Sequence, residues 1–500
     1  LPVPGPEPDT PEPPSPPGLP ALPAIHLDAA SVERIELGAA VAGTPMQLTA
    51  TAALRTEAAP QSLSGEIAVS RTDGTDGSVD ARLRYERASN VLSVQVGASE
   101  PRGGLAARLL QIEGLPAVDF LLTGDGTLDD WKAELALKLD GETDVSGTAR
   151  LTQTVAASGV AERTLTADLS GRLTPLAPPV AEAFLMGETR VTAQARLSDA
   201  FVPLEVSLSA ASDTLSSDIA ATFDAATSAL DATVDLRLSA GGDARIALEL
   251  PDRRVILGDT TLSAAARGEL SALAWRIDLA SASVETDEAA LETLQVVLSG
   301  SDLDASDPTE EIPATLTATV AKLSPKTDAA AGFAGPLRMS GVVTLAPETF
   351  TADIASFETE FEPFALSANG TVGLDEVDAE LTLNVSDLAR IDPQVSGAVT
   401  VEARVEGPLT APVITADATA DQLQLAGKPV RDLQLSARAD TNPEALSADL
   451  ELTANVDGND LAAALRAEPE GDGLRVPTLS LTAGENTLSG DLAIADLTRA

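Results

Sequence analysis

The stretch "VDAELTLNVSD", residues 377 to 387, sets Val377, Ala379, Leu381, Leu383 and Val385 on one parity and Asp378, Glu380, Thr382, Asn384 and Ser386 on the other. Successive side chains of a β-strand point to opposite faces, so this period of two predicts a strand with one apolar and one wet face. The next stretch, "AVTVEARVEG" from Ala398, repeats it, with Val399, Val401, Ala403 and Val405 opposed to Thr400, Glu402, Arg404 and Glu406. "SVDARLRYE" from Ser78, "DATVDLRLS" from Asp231 and "LSADLELTANV" from Leu446 alternate in the same way, so the pattern occupies the chain from residue 25 onward. It predicts an all-β chain whose sheet faces water on one side. On the apolar parity, Val377, Leu381, Leu383, Val385, Val399, Val401, Val405, Leu433, Leu435, Leu450 and Leu452 are the candidates to line a groove.

A second regularity is a small motif of apolar residue, serine and glycine: Leu63-Ser64-Gly65, Val145-Ser146-Gly147, Leu169-Ser170-Gly171, Met339-Ser340-Gly341, Val395-Ser396-Gly397 and Leu488-Ser489-Gly490. Glycine at the start of a strand supplies a bulge or a positive-φ turn, so these sites are expected to bend the sheet. The spacing is irregular and does not define a fixed-period solenoid. "GGLAARLLQIEG" from Gly103 and "LAPPVAEAFLMG" from Leu176 are the helical signals, each expected to make two or three turns that plug or cap a sheet end. Residues 1–24, dense in proline, predict an extended spacer. "ASDPTEEIP", 305–313, predicts a loop and a possible subdomain boundary between a segment 25–304 and a segment 314–500.

Composition removes several functions. The 500 residues are 44% hydrophobic and 22% charged, enough apolar content to fold. With 77 acidic against 32 basic residues the net charge is −45, which repels phosphate backbones, and aromatics at 2% leave little to stack on bases. Nucleic acid is therefore not an expected partner. No stretch is long and apolar enough to predict a spanning helix, and any export signal or anchor is expected upstream of the leucine that begins the chain. The absence of cysteine removes disulfides and thiolate chemistry.

His26 is the only histidine, which excludes a Ser-His-Asp triad and multi-histidine metal sites within the chain; it is expected on an exposed loop. Carboxylates fall mostly on the polar parity of strands or in turns, the pattern of a solvated face. "DGTDGSVD" from Asp73 and "GDGTLDD" from Gly124 contain acidic residues at calcium-loop-like spacing, yet neither completes that pattern and tight turns explain both. Trp131 and Trp275 are expected to fill the apolar side of the sheet, and Phe350, Phe357, Phe361 and Phe364 to pack in a core or line a ligand path. The expectation is a non-enzyme with no cofactor, no metal and no catalytic residues.

The phrase "GPLTAPVITADATADQLQLAGKPVRDLQLSARAD", 407 to 440, resembles the repeat of the TamB family, the inner-membrane partner of the translocation and assembly module, which is related to AsmA-like proteins. Its matching positions are Gly407, Leu409, Pro412, Ile414, Leu423, Leu425, Gly427, Val430, Leu433 and Leu435. The Gly-Asp-Gly core at Gly124, running on to Trp131, and "LTAGENTLSGDLAI" from Leu481 are similar to further family segments. The resemblance implies a β-taco, a long sheet curled into a half-pipe with an apolar interior. It also implies a periplasmic place in a Gram-negative bacterium, anchored in the inner membrane through a segment outside this chain. The implied partners are phospholipid acyl chains and a TamA-like outer-membrane protein met through a region outside this chain. The implied role is phospholipid transport in outer-membrane biogenesis, or alternatively assembly of autotransporters and other outer-membrane β-barrels.

Physical chemistry points the same way. Each acyl methylene exposed to water costs about 0.8 kcal/mol, so two chains of roughly 16 carbons cost on the order of 25 kcal/mol to carry bare across the periplasm. A continuous apolar trough removes most of that barrier. If about 13 residues make a strand and its turn, the chain holds roughly 35 strands and the sheet is on the order of 170 Å long. The rival readings are a secreted structural β-helix, a multi-sandwich adhesin whose apolar parity packs on a second sheet, and a β-helical polysaccharide enzyme.

Overall fold

The structure, a computed structural model, describes residues 24–494 apart from 59–60, 110–111, 113, 156–158, 242–244, 251–252, 308, 328–332, 363, 443–445 and 471–472. The proline-rich spacer thus lies outside the described residues except for Ala24. The chain is all-β, 73% strand and 4% helix, and its ladders are antiparallel and not closed into a barrel. It divides into two compact units, one of residues 1–213 with 218–223 and one of residues 214–217 with 224–500.

In the first unit every strand from Ile25–Leu37 to Pro203–Ala211 pairs with its neighbour in sequence. The second unit does the same from Ala229–Leu238 to Asn486–Ile494, with two interruptions. The hairpin of Ile246–Leu250 and Arg253–Leu257 is inserted so that Ala229–Leu238 pairs with Thr260–Glu269. Val395–Gly397 pairs with the far end of Val413–Leu425, whose near end pairs with Val399–Pro408. Residues 305–311 connect Ala289–Leu303 to Ile312–Pro325, two strands paired with each other inside the second unit, whereas the division between units falls within Leu215–Asp224.

The helices are shorter than the sequence suggests. Leu105–Leu109 and Pro179–Glu182 make about one turn each, the second preceded by the 3-10 turn Thr174–Leu176. Glycine and proline flank both, leaving too few residues to pass the costly helix nucleus. The first caps a sheet end together with the 3-10 turn: Ala106, Ala107, Ile112 and Leu176 pack on Val118, Leu137 and Leu139. His26 lies not in a loop but within Ile25–Leu37, opposite Arg55 and exposed, because strand pairing begins at Ile25, directly after the prolines.

The Ser-Gly motifs also differ from expectation. All six glycines lie inside strands, and only Gly171 and Gly397 take a left-handed φ, +152° and +113°. At Gly147 and Gly341 the reason is space. A Cβ at Gly147 would come 2.9 Å from Leu169 Cδ1, and one at Gly341 3.3 Å from the Phe357 ring, so the missing side chain seats a large neighbour on the apolar face.

Candidate functional site

The register of the second unit carries the alternation from strand to strand. Leu366, Leu383, Val401, Ala418, Leu435, Leu452, Ala463, Leu481 and Leu488 stand directly opposite one another in turn, an apolar row across consecutive paired strands. At about 4.8 Å per strand that row is on the order of 40 Å long. Beside it runs a second row of Ala368, Leu381, Ala403, Ala416, Ala437, Leu450, Leu465 and Leu479. Val405 with Ile414, and Val399 with Val385, extend the face to either side, and Val377 faces Gly407. All eleven sequence candidates are placed on strands of this unit, and the register brings them onto neighbouring strands.

Most of these side chains are half-buried. Leu383, Val401, Leu435, Leu450 and Leu452 are neither exposed nor enclosed, and toward the C-terminal strands Leu488 is 61% exposed. A residue between two stacked sheets would be enclosed on its far side. The described strands join one open antiparallel sheet, and the middle rows of its apolar face are left half-covered.

The opposite face is polar. Thr382, Glu402, Asp417, Ser436 and Glu451 form its matching row. Arg404 donates to Glu380 at 3.0 Å and Glu406 at 3.2 Å and approaches Asp378 at 2.7 Å; the Glu406 bond first, then the Asp378 charge, raise the guanidinium above its ordinary value. Lys322 with Glu292, and Arg466 with Glu468, add further exposed pairs. Each contributes little stability, but together they keep this face wet.

The two long rims of the apolar face differ. Along one, Phe361, Phe364 and Val385 are buried, with Phe333 stacked on Phe364 at 4.5 Å between ring centres. Leu388, on the 3-10 turn Leu388–Arg390, packs against this cluster and against the neighbouring one of Ala420, Leu423, Val430 and Ala454. Along the other rim the turns carry exposed side chains, Phe350 and Leu374 each 70% and Leu409 46%. The four phenylalanines grouped by sequence thus separate: Phe361 and Phe364 join a core, Phe357 lies on the sheet opposite Gly341, and Phe350 projects from a turn with φ +52°.

The first unit has its own apolar face. Leu63, Tyr85, Leu92, Gly126, Trp131, Leu151, Leu165, Ala195 and Val206 form one row. The Trp131 indole N–H donates to the Leu92 carbonyl at 3.1 Å, and its ring lies over Gly124, where a Cβ would come within 2.2 Å of it. This explains the glycine of the Gly-Asp-Gly segment physically. In the second unit Trp275 lies over Gly300, directly opposite it, but its buried indole nitrogen has no hydrogen-bond partner among the described residues. Small residues, among them Ala133, Gly147, Ala149, Ala167 and Ala193, line a hollow of about 310 Å³ on this face.

Sequence reading missed Arg163. It shares the parity of Leu165 and is 3% exposed, donating to the Leu128 carbonyl at 2.7 Å and to Asp129 at 3.0 Å and Asp199 at 3.3 Å, with its guanidinium 4.9 Å from the Phe201 ring centre. The available signal was a charge on an otherwise apolar parity. The acidic turns are tied to arginines of the flanking strands: Asp73 accepts from Arg71 at 2.8 Å, and that bond holds its carboxyl below the usual range, while Asp130 accepts from Arg150 of the next strand at 2.9 Å. Among the described residues no three His, Cys, Asp or Glu side chains group as metal ligands, and no helix is long and apolar enough to cross a membrane.

Fold and face together define a class, an open antiparallel sheet protein with one broad apolar surface and one charged surface. Residues 334–489 match the family model described as TamB, N-terminal domain. It covers the strands that carry the apolar rows of the second unit. A comparison with curated proteins finds no match.

Proposed function

We propose that this chain is a section of a periplasmic conduit that carries phospholipid acyl chains between the inner and outer membranes of a Gram-negative bacterium, in outer-membrane biogenesis. The observation that carries the reading is the unbroken apolar row from Leu366 to Leu488 on a face whose middle side chains are only half-buried. Half-buried leucines and valines left facing water are costly unless something apolar lies on them, and a file of acyl chains has the required shape and length. Small residues at Ala403, Ala416, Ala418 and Ala437 give width for it. The conduit is anchored in the inner membrane by a segment outside this chain and works with a TamA-like outer-membrane protein. It acts as a surface, not as a catalyst.

The test is photocrosslinking in cells from a benzophenone side chain at Val401, on the apolar face, and at Glu402, on the polar one. Lipid adducts are expected from Val401 and few from Glu402. Equal adducts from both positions, or none from either, would refute the conduit.

A further inference from the structure

The rims of the second unit are unlike, and we propose that phospholipids lie in its apolar face with their head groups over the rim formed by turns 347–350, 373–375 and 409–412, and that this rim favours ammonium-bearing zwitterionic head groups over anionic ones. The proposal rests on the conduit reading and adds an orientation and a substrate class to it.

The orientation follows from burial. A phospholipid needs one side where its chains are covered and one where its head group reaches water. At the closed rim Phe364 is 8% and Val385 4% exposed beneath Phe333 and Leu388, so that side is already filled by protein. At the open rim Phe350, Leu374 and Leu409 project from turns two strands apart, about 10 Å from one to the next. Apolar side chains at that spacing form a lip over which acyl chains can slide sideways while the head group stays outside.

The head-group class follows from charge. From residue 346 to 351, 372 to 376 and 407 to 413 the ionisable residues are Glu348, Asp375 and Glu376, with no lysine or arginine. The neighbouring turn on the same rim adds Asp304, Asp307, Glu310 and Glu311. Hydrogen bonds from Ser306 and Thr309 hold the first two carboxyls below their usual range and so keep them ionised. Basic turn residues, Lys326, Arg390 and Lys428, belong to the closed rim. A phosphate with no countercharge is repelled along the open rim, whereas a head group ending in an ammonium meets carboxylates.

The purified full chain is incubated with vesicles holding equal amounts of phosphatidylethanolamine and phosphatidylglycerol with identical acyl chains, and the lipids that copurify are counted by mass spectrometry. A preference for phosphatidylethanolamine of about threefold is expected at about 0.15 M salt, falling toward parity at about 1 M. The triple variant Glu348→Gln, Asp375→Asn, Glu376→Gln is expected to lose the preference and keep its circular dichroism, while Lys428→Gln on the closed rim keeps it. Leu374→Ser with Phe350→Ser is expected to slow loading without changing the ratio. Equal uptake of both lipids by the parent, or a preference that survives the triple variant, overturns the proposal and leaves the conduit standing. Uptake of no lipid at all removes the conduit reading and this one with it, and points to a protein partner on the exposed rim.

Discussion

Leu435→Arg and Val385→Arg put the same charge on the same face at places that differ in cover. Leu435 stands half-buried between Ala418 and Leu452, while Val385 is 4% exposed beneath Leu388. Losing a half-buried leucine side chain forfeits about 1 kcal/mol, and an arginine there stands off the sheet into the space above it. At Val385 the guanidinium has no path to water, and an unpaired buried charge costs about 4 kcal/mol or more. Hydrogen exchange should therefore show strands 413–456 of Leu435→Arg nearly as protected as the parent's, and Val385→Arg opened around 361–399. In the lipid assay the order reverses in interest: a charge in the middle of the row displaces about four methylenes of contact, about 3 kcal/mol, or roughly 100-fold in passage. Crosslinking from Val401 should fall accordingly in Leu435→Arg although the sheet survives. If Leu435→Arg instead opens strands 413–456 as widely as Val385→Arg opens its own region, the face is covered and the argument from half-burial fails.

Gly124→Val drives a side chain into the Trp131 ring, whose nearest atom lies 2.2 Å from the Cβ position. In a Trp275→Phe background the remaining indole emission should shift to the red as the displaced ring leaves the Leu92 carbonyl and moves into water, with a destabilisation of about 1–3 kcal/mol; an unshifted spectrum contradicts the assigned packing. Glu285 accepts from Lys326, with Arg245 beside it, and the Lys326 bond holds its carboxyl below 4.5. Because the folded value is the lower one, the contribution is present above pH 4.5 and disappears as pH falls through the folded value. Protection of the amides at 286–289, corrected for the intrinsic pH dependence of exchange, should fall over that range, and Glu285→Gln should remove that fall; an unaltered protection profile in the variant contradicts the assignment.

The strands were legible because burial on one side imposes period two wherever the sheet is one layer thick, as at Val377–Val385 and Val399–Val405. Parity breaks at Ala420 and Leu423, both buried although three residues apart, where the pairing of Lys428–Asp440 with Ser447–Val456 shifts register between Arg431 and Gln434 and Asp432 has φ +53°. A local irregularity of this kind leaves no periodic trace. The rims were not legible either, since whether Phe350 is outside and Phe364 inside depends on Phe333, and Leu388 reaches across from a different turn. Arg163 could be noticed by its parity, yet its partners Asp129 and Asp199 lie more than thirty positions away on either side.

Pairing of each strand with its sequence neighbour also bears on how the chain is made. A polypeptide that leaves a membrane pore as a thread can add strands in the order they emerge, each finding its template already in place, and such local connectivity favours fast acquisition of structure. The strand Ala229–Leu238 is an exception, because its partner Thr260–Glu269 arrives only after the inserted hairpin. During that interval its edge is bare, and a chaperone that holds extended segments would find its clearest target there.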